Sequence, residues 1–231
     1  MRVLPIGESA RLICNLDSFA LQTDEDAWLA YPQGRAFYDR LWLAQQLGYL
    51  CGPAGTNPPC SGWFFVKPVR NLLGLGIGAA RHWYAKGTDF GVPPGSYWSE
   101  CFEGEHLSID YRWNRRRGRW TPLRSVSGIF SGITPLCWIM QPRGRALPQL
   151  PALFDRIADT CGASRINVEF IGGKVIECHL RSGLGDWRGS PACATRAVPI
   201  WRGMPIPRNM VPNEDDGGGF ARLQRIGFVY Q

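Results

Sequence analysis

The segment INVEFIGGKVIECHLR, residues 166–181, carries the densest set of groups able to do chemistry. Side chains two apart on a strand share a face, so Glu177 and His179 point the same way, as do Asn167 and Glu169 on the preceding run. Gly172-Gly173 between the two apolar runs predicts a hairpin. The register of that hairpin decides its chemistry. A two-residue loop pairs Glu169 with Ile176 and sends the carboxylates to opposite faces. A three-residue or bulged loop through Lys174 pairs Glu169 with Glu177. In the second register, Glu169, Glu177 and His179 form a metal site suited to Mg²⁺, which takes a few oxygen ligands and keeps waters and phosphate oxygens. In the first register the glutamates are a solvated strand edge.

A second group lies in FFVKPVRNLLGLGIGA, where an apolar strand delivers Lys67 at its end and Gly74, Gly76 and Gly78 follow. Glycine loops let backbone N–H groups close on phosphate oxygens, and a lysine adds a point charge. Neither GxxxxGK[ST] nor GxGxxG is present, so a phosphate-covering lid and an ordinary turn both fit. A third group is YWSECFEGEHLSID, with Glu100, Glu105 and Asp110; alone it reads as acids alternating on an exposed strand. Arg181 shares a face with Glu177 and His179 and is a candidate for binding an anionic substrate group, with Arg124 a second. His82 and His106 read as core or surface histidines, and Trp63, Phe64 and Phe65 as core fillers.

The elements that must position these groups are legible in outline. Phe37, Leu41, Ala44 and Leu47 fall on one face of a helix predicted from Arg35 to Tyr49, with Gly48 near its stop. A second helix is predicted over Leu150–Cys161. Trp63–Val66, His82–Ala85, two strands within Tyr97–Trp113 broken at Glu103-Gly104, Trp120–Phe130, Ile166–Ile171 and Val175–Leu180 read as strands. Residues 1–30 hold short apolar pieces, Val3–Ile6 and Arg11–Leu16, that read as one or two strands laid on a larger body, and an acidic turn, Asp24-Glu25-Asp26; residues 51–62 read as a proline- and glycine-rich connection. Beyond Arg181 the chain resists assignment. Asn114-Arg115-Arg116-Arg117-Gly118 predicts a hairpin turn.

At 231 residues with 45% hydrophobic residues and 10 Trp, the chain can bury a sizeable core. Its net charge of +7 favours acidic partners such as nucleotides, phosphates or nucleic acid. Only Lys67, Lys86 and Lys174 are lysines among 26 basic residues, so a lysine at a strand end stands out. The eight cysteines are scattered without a CxxC pair, which reads as reduced thiols in a cytoplasmic protein. No apolar run approaches 18 residues and Met1–Ile13 does not read as a signal peptide, so no membrane partner is expected.

The order of these features resembles the ATP-grasp superfamily of carboxylate–amine ligases, over roughly Tyr31 to Arg181. The helix FYDRLWLAQQLGYLCGP is similar to the opening of the grasp, with Arg40 at the first basic residue that reaches the nucleotide phosphates. Lys67 in FVKP matches the second, and GLGIG the mobile lid. Glu100 stands where hinge residues meet adenine, and Glu105 at the glutamate that holds the ribose hydroxyls. Glu169 matches the first magnesium carboxylate, and Glu177-Cys178-His179 the E-x-N metal strand, with His replacing Asn. An imidazole there suits softer metals, so Mn²⁺ joins Mg²⁺ as a candidate.

The resemblance implies a two-lobe α+β fold of mostly antiparallel sheets with flanking helices, the nucleotide cleft lying between the lobes. Residues 1–34 would be a short remnant of a pre-grasp region, 35–99 the N-terminal lobe and 100–231 the C-terminal lobe. The implied chemistry uses ATP and Mg²⁺ to activate a carboxylate as an acylphosphate for attack by an amine, with Lys67, Arg40 and Arg181 at the reacting groups. Two other readings fit the residues. One is the same fold binding nucleotide or a partner without catalysis. The other is a basic protein that binds nucleic acid through Arg112, Arg115, Arg116, Arg117 and Arg119, or a ligase that takes a polyanionic or macromolecular substrate there.

Overall fold

The computed structural model describes residues 23–72, 76, 78–131, 134–183, 195–201, 211–214 and 225–230. Two antiparallel sheets carry the strands. The smaller holds β1 (Cys51–Pro53), β2 (Gly62–Pro68), β3 (Ala80–Tyr84) and β4 (Ser96–Glu100) in the order β1-β4-β2-β3. The larger holds β5 (His106–Asn114), β6 (Arg119–Ser131), β7 (Thr134–Met140), β8 (Arg165–Ile171), β9 (Lys174–His179), β10 (Arg196–Trp201), β11 (Val211–Glu214) and β12 (Arg225–Tyr230). Its order is β11-β12-β10-β7-β6-β5-β8-β9. The α+β class and the antiparallel sheets are those expected.

Alternation along β5 and β8 sorts side chains to two faces. Leu107, Ile109 and Tyr111 pair with Phe170, Val168 and Ile166, and all six are buried. The other face carries His106, Ser108, Asp110, Asn167 and Glu169. Helices cover the apolar face: α1 (Asp24–Ala30), a 3₁₀ turn (Pro32–Tyr38), α2 (Arg40–Gln46) and α3 (Asp155–Thr160). Ala27, Phe37, Leu43 and Ile157 share one core with Val168 and Phe170. Burying a side chain such as Phe170 contributes roughly 1.5–3 kcal/mol. A separate small core of Phe64, Val66, Tyr84, Val92 and Trp98 holds the smaller sheet.

Several expectations are corrected. The predicted helix over 35–49 is a 3₁₀ turn followed by a seven-residue helix, because Asp39 is extended and caps Trp42 N–H with Oδ1 at 2.8 Å. Gly48, at φ 71°, does mark the stop. The acidic stretch Asp24-Glu25-Asp26, expected as a turn, is the first turn of the helix α1. Thr23 and Asp26 form a reciprocal capping box, and acids there complement the helix N-terminus. Residues 1–22 lie outside the described residues. The predicted helix at 150–161 starts later, as a 3₁₀ turn over Ala152–Phe154 leading into α3. Within the 51–62 connection, Cys51–Pro53 pairs with β4 as a strand. The strand β7 was not anticipated.

Six cysteines (51, 60, 101, 137, 161 and 178) are free thiols, and Cys14 and Cys193 lie outside the described residues. Among the described residues no helix is long and apolar enough to cross a membrane.

Candidate active site

The Gly172-Gly173 turn has two residues, with φ of 56° and 81°, yet Glu169 still pairs with Glu177. A bulge makes this possible. Phe170 pairs with Val175 and Glu169 with Glu177, so Ile176 is the extra residue. The two carboxylates therefore share the polar face of the large sheet, together with His179 opposite Asn167. The bulge sits in the strand at Ile176, two residues beyond Lys174, where the three-residue loop would have placed the extra residue.

Each of these groups is held by a partner. Arg40, only 5% exposed, projects from the start of α2 and pairs with Glu177. Burial opposes its charge, but Glu177 overcomes this and raises its pKa. His106 Nε2 lies 3.0 Å from Glu169 Oε2. Burial works to raise the Glu169 pKa, but the hydrogen bond and charge of His106, with His179 and Arg40, hold it below the usual carboxylate range. His179 Nδ1 lies 2.9 Å from Asp24 Oδ2, which leaves Nε2 facing Glu169 Oε1 and Glu177 Oε1, each at 3.9 Å. Burial disfavours the imidazolium, while Asp24 and Glu177 outweigh it and raise the pKa.

Asp24 is the hub on the helix side. Its carboxylate, 2% exposed, also accepts from Arg181 Nη2 at 2.7 Å and from Tyr38 Oη at 3.3 Å. Burial raises its pKa, but Arg181 and His179 reverse the shift and keep it well below the ordinary range. Arg181 thus reaches the site through Asp24.

Lys67 stands half-buried near the end of β2, its Nζ 5.6 Å over the Tyr97 ring. Burial and the neighbouring Arg40 pull its pKa down to about 8, against the pull of Glu177 and Glu169. Arg40, Lys67, Tyr97, Ser99, Phe102 and Val175 line a narrow cleft between the two sheets, open to solvent and with only about 10 Å³ of room inside it. Tyr49 closes its side, accepting the Val175 N–H at 3.0 Å and meeting Phe102 edge-on at 4.9 Å.

The remaining expected residues lie around this centre with other partners. Glu100 Oε1 accepts the Leu50 N–H at 3.0 Å, and its Oε2 pairs with Lys174 at 3.2 Å. The Glu100 N–H donates to Leu50 O at 2.8 Å. Glu105 forms a bidentate pair with Arg145, one arm at 2.9 Å, at the surface. Gly76 and Gly78 adopt φ of 62° and 74°, with Ala79 N–H bonded to Gly76 O at 2.9 Å. Gly74 lies outside the described residues.

Sequence reasoning missed Asp24 and the role of His106. Asp24 looked like one of three acids in a turn, and only tertiary folding buries it. His106 sits two residues before Ser108, which pairs with Glu169, so a correct β5–β8 register would have found it.

Among the described residues no three His, Cys, Asp or Glu side chains form a ready-made metal cage. Glu177 is taken up by Arg40, and 3.9 Å is too long for a hydrogen bond to His179. Two carboxylates share a face, and a carboxylate on Nδ1 directs the other imidazole nitrogen between them, as is usual for a metal-bound histidine.

No protein-family model matches the sequence, and no curated protein matches it. Solved structures do match. An N5-carboxyaminoimidazole ribonucleotide synthetase from Thermus thermophilus superposes with a TM-score of 0.54 at 14% identity, covering 94% of this chain and 75% of the other. A carboxyaminoimidazole ribonucleotide synthase from Aspergillus clavatus, complexed with ATP, gives 0.51 at 10% identity, covering 94% and 74%. An L-amino acid ligase from Bacillus licheniformis gives 0.50 at 12% identity, covering 85% and 67%. The chain spans 65% of the length of an ATP-grasp superfamily protein from Archaeoglobus fulgidus, which superposes at a TM-score of 0.45 and 14% identity and covers 85% of this chain. The chain therefore has the ATP-grasp fold, as its motifs led one to expect.

Proposed function

We propose that the chain is an ATP-grasp ligase that phosphorylates a substrate carboxylate and passes the acyl group to an amine. The observation that carries this reading is that Arg40 and Lys67 line one cleft between two sheets, while Arg40 also pairs with Glu177, which stands opposite Glu169 on the large sheet. The ATP complex of the Aspergillus clavatus synthase and the amino acid ligase from Bacillus licheniformis support the same kind of chemistry.

In this reading residues 35–99 and 100–231 are the gripping lobes, preceded by the short segment 1–34. Helix α2 serves both lobes, since Leu43 lies in the large core while Arg40 reaches the cleft. Arg40 and Lys67 bind the phosphates of ATP and neutralise charge that develops as the γ-phosphoryl group moves. Gly74, Gly76 and Gly78 let the loop close over those phosphates and keep water from the acylphosphate. Glu100 and Glu105 bind the nucleoside, once Glu105 has exchanged Arg145 for the ribose hydroxyls.

Glu169, Glu177 and His179 are the residues that would hold Mg²⁺ or Mn²⁺, and a metal there would supply positive charge to the phosphate oxygens. Glu177 would have to leave Arg40 to take part. Asp24 keeps the His179 ring oriented, and His106 fixes Glu169 as the charged carboxylate. Arg181 holds the substrate carboxylate or acylphosphate. Positioning and charge neutralisation then supply most of the rate.

A second reading, a nucleotide-binding protein without turnover, is favoured by the pairing of Arg40 with Glu177 and of Glu105 with Arg145 in the free protein. Thermal shift with ATP, with and without Mg²⁺, on wild type and Lys67→Ala tests binding. A ligand at 100 times its dissociation constant stabilises by about 2.7 kcal/mol. No shift under any condition overturns both readings. A shift without ADP release on a panel of carboxylates and amines leaves the second.

A further inference from the structure

We propose that the β5–β6 hairpin tip is a docking arm for the phosphodiester backbone of nucleic acid, separate from the cleft. Arg112, Arg115, Arg116, Arg117 and Arg119 are all exposed. Between them stand only Trp113, Asn114 and Gly118. No ion pair joins any of the five to another described residue, although the ion pairs elsewhere engage Arg40, Arg70, Arg145, Lys174 and Arg181. Like charges at neighbouring positions repel, and a tip whose only task is solubility mixes signs. A polyanion relieves that repulsion.

The arm is built rigidly. Asn114 Oδ1 accepts the N–H groups of Arg116 and Arg117, each at 3.1 Å, and Asn114 O accepts Arg117 N–H at 3.1 Å. Gly118 supplies the left-handed residue, φ 56°, that closes the turn. Below it Trp113 pairs with Trp120, their rings edge-on at 5.3 Å. Trp120 is anchored in the core by its indole N–H to Phe154 O at 3.0 Å, and Trp113 N–H by Ser164 O at 2.9 Å. The backbone that presents the guanidinium groups is therefore ordered before any partner arrives, and binding does not have to order it.

Charge density selects the partner. Nucleic acid carries one charge per roughly 1.7 Å of duplex axis, whereas an acidic strand shows one carboxylate per face about every 6.6 Å. Five cations at the end of two strands about 4.8 Å apart match the denser ligand. Guanidinium forks also fit phosphate oxygens two at a time. A lipid surface is disfavoured because the one apolar side chain among Arg112–Arg119, Trp113, is half-buried and packed edge-on against Trp120. Arg112 lies four residues along β5 from Ser108, the partner of Glu169, so the arm begins about 13 Å from the carboxylate face and extends away from it.

The test is fluorescence anisotropy with a labelled 20-nucleotide single strand and its duplex, on wild type and on the variant R115S/R116S/R117S, across a salt series. Log affinity of the wild type should fall linearly with log salt. The variant should bind at least about tenfold more weakly at 100 mM salt, with a slope shallower by roughly 2–3. Its melting temperature and its response to Mg-ATP should match wild type, which separates this arm from the proposed nucleotide cleft. Equal affinity and slope in the variant overturn the proposal. So does a wild type that ignores both oligonucleotides at 50 mM salt, or one that captures poly-glutamate or phosphatidylserine vesicles instead.

Discussion

Arg40 and Glu177, 137 residues apart in the chain, form an ion pair that joins α2 to β9. A cation suited to phosphate and a carboxylate suited to metal thus neutralise each other in the free protein. Removing one member of a buried pair leaves the other uncompensated and costs about 3–5 kcal/mol. Glu177 is 18% exposed, which places the cost near the lower end. Arg40→Met should lower the urea-derived stability by about 3 kcal/mol, and R40M/E177Q should recover part of that loss. Equal stability of wild type and R40M would dismiss the pair as a surface ornament.

Glu177→Gln alone addresses the metal. The variant should keep its fold and still bind nucleotide through Lys67, while adding Mg²⁺ should bring no further thermal stabilisation and turnover should be abolished. Isothermal titration with ATP in the presence and absence of Mg²⁺ reads this directly. An undiminished Mg²⁺ response would remove Glu177 from the metal site.

Lys67, with its pKa pulled down to about 8, carries a pH signature. Phosphates beside it favour its charged form, so nucleotide binding near pH 8.5 should take up protons. At pH 6.5 the lysine is already charged and uptake from it should vanish. Calorimetry in two buffers of different ionisation enthalpy measures the number, and Lys67→Met should abolish it. Stability follows the same group. Between pH 8 and its usual value of 10.5 the unfolded chain binds more protons at Lys67, so this residue makes stability rise with pH across that window.

Asp24→Asn removes the carboxylate shared by His179 and Arg181. Arg181 loses its buried counter-charge and His179 the carboxylate on its Nδ1, at a cost of about 3–5 kcal/mol. For a domain of this size each kcal/mol lowers the melting temperature by about 2–4 °C. A change below about 3 °C would show that Asp24 is dispensable to the fold.

Gly172 tests the contact between hairpin and linker. A Cβ there would lie 2.0 Å from Glu103 O at a φ of 56°, whereas a Cβ on Gly173, φ 81°, meets nothing within 4 Å. Gly173→Ala should cost about 1–2 kcal/mol for the left-handed backbone alone, and Gly172→Ala at least that plus the displacement of Glu103. Melting temperatures of the two variants compare them, and equal losses would discount the contact.

Much of this arrangement was legible in the residues, for identifiable reasons. Glycine pairs and alternating apolar runs encode hairpins locally, so β8, β9 and the Arg115–Arg117 turn were placed correctly. The strand delivering Lys67 was equally clear. Asp24 was not, because its burial depends on Arg181 and His179, more than 150 residues away. The bulge at Ile176 decided the Glu169–Glu177 pairing, and sequence left two registers open there. Helix lengths failed where one residue, Asp39, prefers to cap rather than continue.

The small sheet has its own core, while the helices before it, including α2, and the strands after it share the other. The chain leaves at Leu50 and returns at Glu100, and these two residues hydrogen-bond to each other. Residues 51–100 thus begin and end at one point, but Val69, which accepts the Arg40 N–H, Arg70, paired with Asp39, and Leu72, packed on the large core, tie them back to the body. A graft of this segment has to bring those contacts with it if the wall of the cleft is to keep its place.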